Sequence, residues 1–277
     1  MLMARRWNKV EEKERRDELH RLYVVENRTM TEIAKLLDIG ESTVFQRMVR
    51  LGIPSIPEKK ETYIAKRRND IVIPGKRSPQ LAEFFGIMLG DGKLSHYQAA
   101  VNLGTKEFEY AEYICDVMRD LFGVRPKIAV RRKNGFKDVY LGSLDLTEWL
   151  QKEGMVFNKV LSQVDVPPWI FTKREYMIRF LRGFFDTDGS VYRLRFGIQI
   201  SLTNKSAPLL ASLQKMLHML GYHPSGMSAY RVYVTRREQV IRFFQEVSPA
   251  NNKHKQRFQK FFREIWAGSP VGSGARL

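Results

Sequence analysis

Two stretches of this 277-residue chain repeat one another at a fixed distance: FFGIMLGDGKL at residues 84–94 and LRGFFDTDGSV at residues 181–191. Gly86 falls on Gly183, Asp91 on Asp188 and Gly92 on Gly189, each pair 97 residues apart. Solenoid units repeat every roughly 20–50 residues, so a spacing this long marks a duplicated domain. The chain therefore has to fold as two similar halves, and each half ends an apolar run in an acid followed by glycine.

The likeness continues beyond the acids. VNLGTKEFEYAEYICDVMRDLFG at 101–123 lies over ISLTNKSAPLLASLQKMLHMLGY at 200–222, reading as a strand, a turn and a helix closed by Gly. Further strand regions follow at 126–143 and 224–237, the first with the hairpin signal Asn134-Gly135, and then a helical run containing Trp149 or Phe243. Each half reads helix, hairpin, helix, hairpin, helix, an α+β class. Ser78-Pro79 predicts an N-cap and first helical residue, and Thr172 to Glu175 predicts a capping box. Gly92 and Gly189 are expected as left-handed helix stops, while Gly86 and Gly183 let two helices approach closely. Helices paired in parallel about a pseudo-twofold bring Asp91 and Asp188 side by side.

Bare carboxylates are poorly placed there, because helix C-termini carry partial negative charge and like charges repel. A hard divalent cation such as Mg2+ relieves both penalties and keeps waters, one of which can attack a phosphodiester. Other readings of FFDTDGS fit less well. A phosphatase nucleophile needs a strand before the first Asp, whereas Met177, Phe180, Leu181, Phe184 and Phe185 recur at helical spacing; a calcium loop needs oxygen ligands that SVYRLRFG lacks.

Charge names the partner. Lys+Arg number 47 against 30 Asp+Glu, a net +17, which points to a polyanion. No apolar run reaches the ~20 residues of a membrane span, and the opening residues carry no signal peptide, so an intracellular protein (cytoplasm or nucleoid) is expected. The single cysteine, Cys115, excludes an internal disulfide and a cysteine zinc site, and reads as buried. The first residue is neither Cys nor Ser and the last two are not His-Asn, so self-splicing is not expected.

Residues 17–53 carry three apolar helical patterns: Leu19, Leu22, Tyr23; Ile33, Leu36, Leu37; and Val44, Met48, Leu51. Between the last two, Gly40 is expected as a left-handed turn residue and Ser42 as an N-cap. This order resembles a helix-turn-helix, whose third helix would offer Ser42, Thr43, Gln46, Arg47 and Arg50 to base edges. Residues 1–60 hold 13 Lys+Arg and 10 Asp+Glu, so +3 of the charge lies there and +14 beyond. Expected boundaries are 1–56 for this domain, 57–77 for a basic linker with Arg67, Arg68, Lys76 and Arg77 near phosphates, 78–168 and 169–267 for the two halves, and 268–277 for a flexible tail.

The motifs FFGIMLGDG and LRGFFDTDG, with the repeat around them, resemble the LAGLIDADG homing endonucleases in their single-chain, two-motif form, over residues 78–265. The resemblance implies two α-β-β-α-β-β-α domains with saddle-shaped antiparallel sheets that track the major groove. It further implies a monomer that needs no protein partner, binds a long duplex DNA target, and cuts both strands to leave short 3′ overhangs using Mg2+, with Mn2+ or Ca2+ able to occupy the same sites. Relatives include intron-encoded nucleases, transcription regulators with a helix-turn-helix, and RNA maturases. By position in the motif, Asp91 and Asp188, with Gly90 and Thr187 beside them, would hold metal. Asp186 retains a further family acid that Leu89 does not. Thr105, Asn204, Lys106 and Lys205 would serve the reaction as polar or basic neighbours. The central lysine of the family has no clear match in the second strand regions, where Ser143 and Arg236-Arg237 stand, leaving Arg237 as the candidate. On the sheets, Arg193, Arg195, Gln199 and Ser201 alternate with apolar residues as one polar face; His96, Gln98 and Asn102 match them in the first half. Lys127, Arg131, Lys133, Lys137, Arg231 and Tyr233 extend the DNA surface, and Lys253 and Arg257 add phosphate contacts.

Overall fold

The structure is a computed structural model that describes residues 9–26, 28–53, 68–130 and 135–265. It divides into two compact units, Met1–Tyr63 and Ile64–Leu277.

In the first unit, α1 (Lys9–His20) runs into a π-helical turn (Arg21–Val25), followed by α2 (Met30–Leu36) and α3 (Glu41–Arg50). Leu19, Leu22, Tyr23, Ile33, Val44 and Met48 close one small core. Thr29 caps α2 through a reciprocal box with Glu32: Glu32 N–H donates to Thr29 Oγ1 at 3.2 Å and Thr29 N–H to the Glu32 carboxylate at 2.7 Å. Two expectations fail locally. Gly40 is extended (φ −72°) and is itself the N-cap of α3, so Ser42 lies inside the helix; the left-handed residue is Asp38 (φ 49°). Leu36 is 54% exposed rather than core.

The second unit is built on the duplication. The first half runs α4 (Pro79–Leu89), β1 (Gly92–Ser95), β2 (Gln98–Leu103), α5 (Phe108–Phe122), β3 (Lys127–Val130), β4 (Lys137–Gly142) and α6 (Leu144–Lys152). Its antiparallel sheet has order β1-β2-β4-β3. After a 3-10 turn (Pro168–Thr172), the second half runs α7 (Arg174–Asp188), β5 (Gly189–Arg193), β6 (Ile198–Thr203), α8 (Ala207–Met219), β7 (Arg231–Val234) and α9 (Arg237–Glu246), and α10 (Asn252–Ile265) follows. Its sheet, among the described residues, has three strands ordered β5-β6-β7. The fourth strand expected from 224–230 is reduced to a single bridge, Ser228 with Arg231, because Ala229 and Tyr230 turn left-handed (φ 46° and 63°) directly before β7.

One apolar core spans both halves, with α4 and α7 at its centre. Phe84 meets Phe122 edge-on at 5.1 Å and Phe185 meets Phe243 at 4.9 Å, each motif helix being wedged against its own half. Between the two helices the contact is main chain. A methyl group on Gly86 would collide with the Phe180 carbonyl, and one on Gly183 with the Glu83 carbonyl. Polar contact also crosses the seam: Glu83 of α4 is fully buried and meets Arg179 of α7 at 2.6 Å, Arg182 at 4.0 Å and the Tyr113 hydroxyl.

Ser78 caps α4 as expected, accepting from the Leu81 N–H at 3.0 Å. The expected box at Thr172 does not form: Lys173 is the N-cap of α7, and the Thr172 hydroxyl donates to the Trp169 carbonyl at 2.7 Å, closing the 3-10 turn. Gly92 and Gly189 are not left-handed stops either. Each is the first residue of a strand, Gly189 with φ −88° and ψ 161°. They are glycine because a Cβ would strike Met88 or Phe185 in the turn of helix just left.

Candidate active site

The last turns of α4 and α7 set Asp91 and Asp188 at the top of the helix pair. Burial pushes the Asp188 carboxyl up to about 6, with the Asp91 charge adding to the effect and Lys159 opposing it. Asp91 is also raised, first by burial, against the pull of Lys253 and Lys159. Asn204 Nδ2 donates to Asp188 Oδ2 at 3.1 Å and so aims that carboxylate.

Among the described residues two lysines complete the cluster, Lys159 and Lys253, neither of them from a strand region. Lys159, in the connector between the halves, donates to the carbonyls of Met88 (3.0 Å), Leu89 (3.1 Å) and Gly90, capping the C-terminus of α4. Burial lowers its affinity for a proton while Asp188 and Asp91 raise it. Lys253, from the first turn of α10, meets Glu107 at 2.8 Å beside Asp91. Burial pushes Glu107 up, but Lys253 and Asn251 together outweigh it and hold the carboxyl below its ordinary range. Lys159 was missed by sequence reasoning, as was Glu107. The signal was present: Asn158-Lys159 and Asn252-Lys253 repeat the same dipeptide in the two halves.

The remaining proposed members of the site fall elsewhere or turn away. Thr187 Oγ1 donates back to Gly183 O (3.1 Å) and Phe184 O (2.9 Å), packed under Gly90. Thr105, Lys106 and Lys205 are exposed in the turns after β2 and β6, and Arg237 is exposed at the start of α9. Asp186 is fully buried and bonded to the main chain at Ala250 and Asn251; burial lifts its carboxyl to about 7 against the pull of those two N–H groups.

On the first sheet, register and alternation place Lys93, Gln98, Asn102, Lys127 and Tyr140 on the face opposite the core. On the second, Tyr192, Gln199, Ser201, Tyr233, Thr203 and Arg231 share that position. Several expected contacts are corrected. Residues 194–197 form a turn, closed by Leu194 N–H to Gly197 O at 2.8 Å, so the alternation predicted through 191–202 is broken. Arg193 shares the core side with Val191 and pairs with Glu264 at 3.1 Å. Arg195 sits in the turn, over the Phe196 ring at 4.9 Å. His96 is likewise in a turn, its ring 4.8 Å from Phe157. Lys137 is 2% exposed, its ammonium bonded to the Thr105 carbonyl and 3.4 Å from the Phe108 ring, because its register partner Leu103 faces the core. Arg68 is engaged by Asp70, and Arg77 by Glu153 and the Trp169 ring, whereas Lys76 is exposed. Arg67, Arg131, Lys133 and the tail 268–277 lie outside the described residues. In the first unit Ser42 and Gln46 are exposed, Thr43 and Arg47 half-buried, and Arg50 pairs with Glu12 at 2.6 Å. Arg257 is exposed on α10.

The site thus stands in a duplicated α+β unit that joins two acid-ended helices at a glycine seam. Residues 175–248, within the second half, match the family model of the LAGLIDADG-like domain. A DNA polymerase of Thermococcus hydrothermalis is 30% identical over 151 residues, covering 51% of this chain and 9% of the polymerase; the chain spans about a tenth of the length of the curated relatives it matches. Among solved structures, full-length DUF199/WhiA from Thermatoga maritima aligns at TM-score 0.48 and 16% identity over 73% of this chain and 64% of that one. I-DmoI in complex with DNA and Mn aligns at 0.44 and 16% identity over 61% of this chain and 96% of that one.

Proposed function

We propose that the chain is a site-specific endonuclease that hydrolyses both strands of duplex DNA at the Asp91–Asp188 pair and leaves short 3′ overhangs. One observation carries this reading: two half-buried carboxylates, one from each half of a duplicated fold, are forced together at adjacent helix ends in a chain of net charge +17. Their mutual repulsion and the oxygen-rich helix ends fit a hard divalent cation, Mg2+ or Mn2+, held by Asp91 and Asp188. When bound, such an ion supplies a water acidic enough to attack phosphorus and a charge to steady the leaving oxygen.

The chain's own residues do the rest. Asn204 orients the Asp188 carboxylate. Lys159 and Lys253 place positive charge beside the pair, where negative charge grows on the phosphate during attack. The polar faces of the two sheets, with Gln98, Asn102 and Gln199 as base-edge readers and Lys93, Lys127 and Arg231 as phosphate or guanine partners, hold the duplex across the site. The three-helix first unit, read as a helix-turn-helix, extends the contact through α3. The protein acts as a monomer, since both halves of the site are in one chain.

Incubating the full chain with a library of duplex targets and Mg2+ tests the proposal. Double-strand breaks at one sequence are the expected result. Tight binding to one duplex with no cutting in Mg2+ or Mn2+ would replace the nuclease reading with that of a regulator.

A further inference from the structure

Asp186 has no acidic counterpart, since Leu89 stands at the equivalent place in the first half. Two residues from Asp188 on the same helix, it points away from that acid. Its carboxylate is committed to the segment that leads into α10: Oδ2 accepts from the Ala250 N–H at 2.8 Å and Oδ1 from the Asn251 N–H at 3.0 Å. One turn earlier on α7, Arg182 Nε donates to the carbonyls of Val247 (3.1 Å) and Ser248 (2.7 Å). Between these anchors Ser248 is left-handed (φ 47°), so 247–251 is a tight turn gripped at both ends by the second motif helix.

The turn delivers side chains to the opposite half. Asn251 Nδ2 donates to Glu107 Oε1 at 2.8 Å and to the Asp186 carbonyl at 3.2 Å, while its Oδ1 accepts from the Lys253 N–H at 3.2 Å. Lys253 Nζ then reaches the same Glu107 oxygen at 2.8 Å. A lysine has four rotatable bonds, so a fixed ammonium requires both a fixed backbone and a fixed partner. Charge-assisted bonds to two successive N–H groups supply the first, and Glu107 the second.

We infer that Asp186 is a positioning residue: its carboxylate seats the turn 247–251 and so sets the Lys253 ammonium beside Asp91 in the other half of the molecule. The first motif needs no such acid, because Lys159 comes directly to the carbonyls of α4. The chemical importance of that ammonium rests on the nuclease reading; the seat itself does not.

Hydrogen exchange of the full chain, without DNA or metal, tests the seat in Asp186→Asn and in Asp186→Leu, the latter copying Leu89. Exchange at 250–253 should rise at least tenfold, with α4 and the body of α7 unchanged; unaltered protection at 250–253 in both variants overturns the proposal. Should the buried leucine variant fail to fold, Asn251→Ala takes its place, since it keeps the turn N–H groups but cuts the tie to Glu107, and is expected to loosen 252–256 alone. Single-turnover cutting then tests the link to Lys253. Asp186→Asn should lower the rate, with DNA affinity held within threefold, and have no added effect in Lys253→Met; an additive effect refutes action through Lys253. Wild-type protein that cuts no duplex would defeat the nuclease reading, while the exchange result would still decide the seat.

Discussion

Asp188 shows what the site costs the fold. Its carboxyl titrates near 6 when folded and near 3.8 when not. Between those values the folded chain keeps a proton that the unfolded chain has released, so this group's contribution to stability is greatest in acid, declines as pH rises from 4 to 6, and is flat above. Asp188→Asn removes the decline and, at pH 7.5 without metal, should stabilise the protein by about 3 kcal/mol, an advantage that closes towards pH 4 in thermal melts. The same variant, and Asp91→Asn, should lower double-strand cutting at least about a thousandfold while affinity stays within a few-fold; normal cutting by both would dismiss the metal assignment. His254 works in the opposite direction. Burial drives its imidazole down to about 3, so from pH 6.5 downward only the unfolded chain gains a proton, and stability falls. His254→Gln should therefore flatten the acid limb of the stability profile between pH 6 and 4.

At the scale of elements, the seam between α4 and α7 depends on two hydrogen atoms. Gly86→Ala and Gly183→Ala each push a methyl group into a facing carbonyl, which the helices can relieve only by moving apart. Each should destabilise by about 3 kcal/mol or more in urea unfolding, because the displaced pair uncovers the core it holds. The seam was legible in the sequence because backbone contact admits one residue type, and so were the acids that end its helices. The strand faces were less legible: alternation predicted Arg193 on the polar side, but only the turn at 194–197 and the pairing of Arg193 with Ile198 fix which side it takes. Lys137 was misplaced for the same reason, a register invisible until Leu103 is seen opposite it. Thr172 carried a capping pattern, yet Pro168 had already begun a 3-10 turn that used its hydroxyl. Lys159 lay in a segment without periodicity, where the repeated Asn-Lys dipeptide was the one sign of a role and gave no hint that the side chain folds back onto α4.

For the whole molecule, the first unit has its own core and the second contains both carboxylates. Removing residues 1–63 should therefore leave cutting intact while shortening the nuclease-protection footprint and reducing the slope of log affinity against log salt; an unchanged footprint would mean that α3 does not touch the target. The glycine seam bears on descent as well as on stability. An interface made of side chains obliges its two surfaces to change together, whereas one made of peptide groups asks only that two positions stay glycine. Copies joined in this way can acquire different loops, different sheet edges and different basic partners without losing their fit. Here Lys159 reaches the site from a connector while Lys253 reaches it from the first turn of a helix, and the fit between the copies is kept where backbone meets backbone.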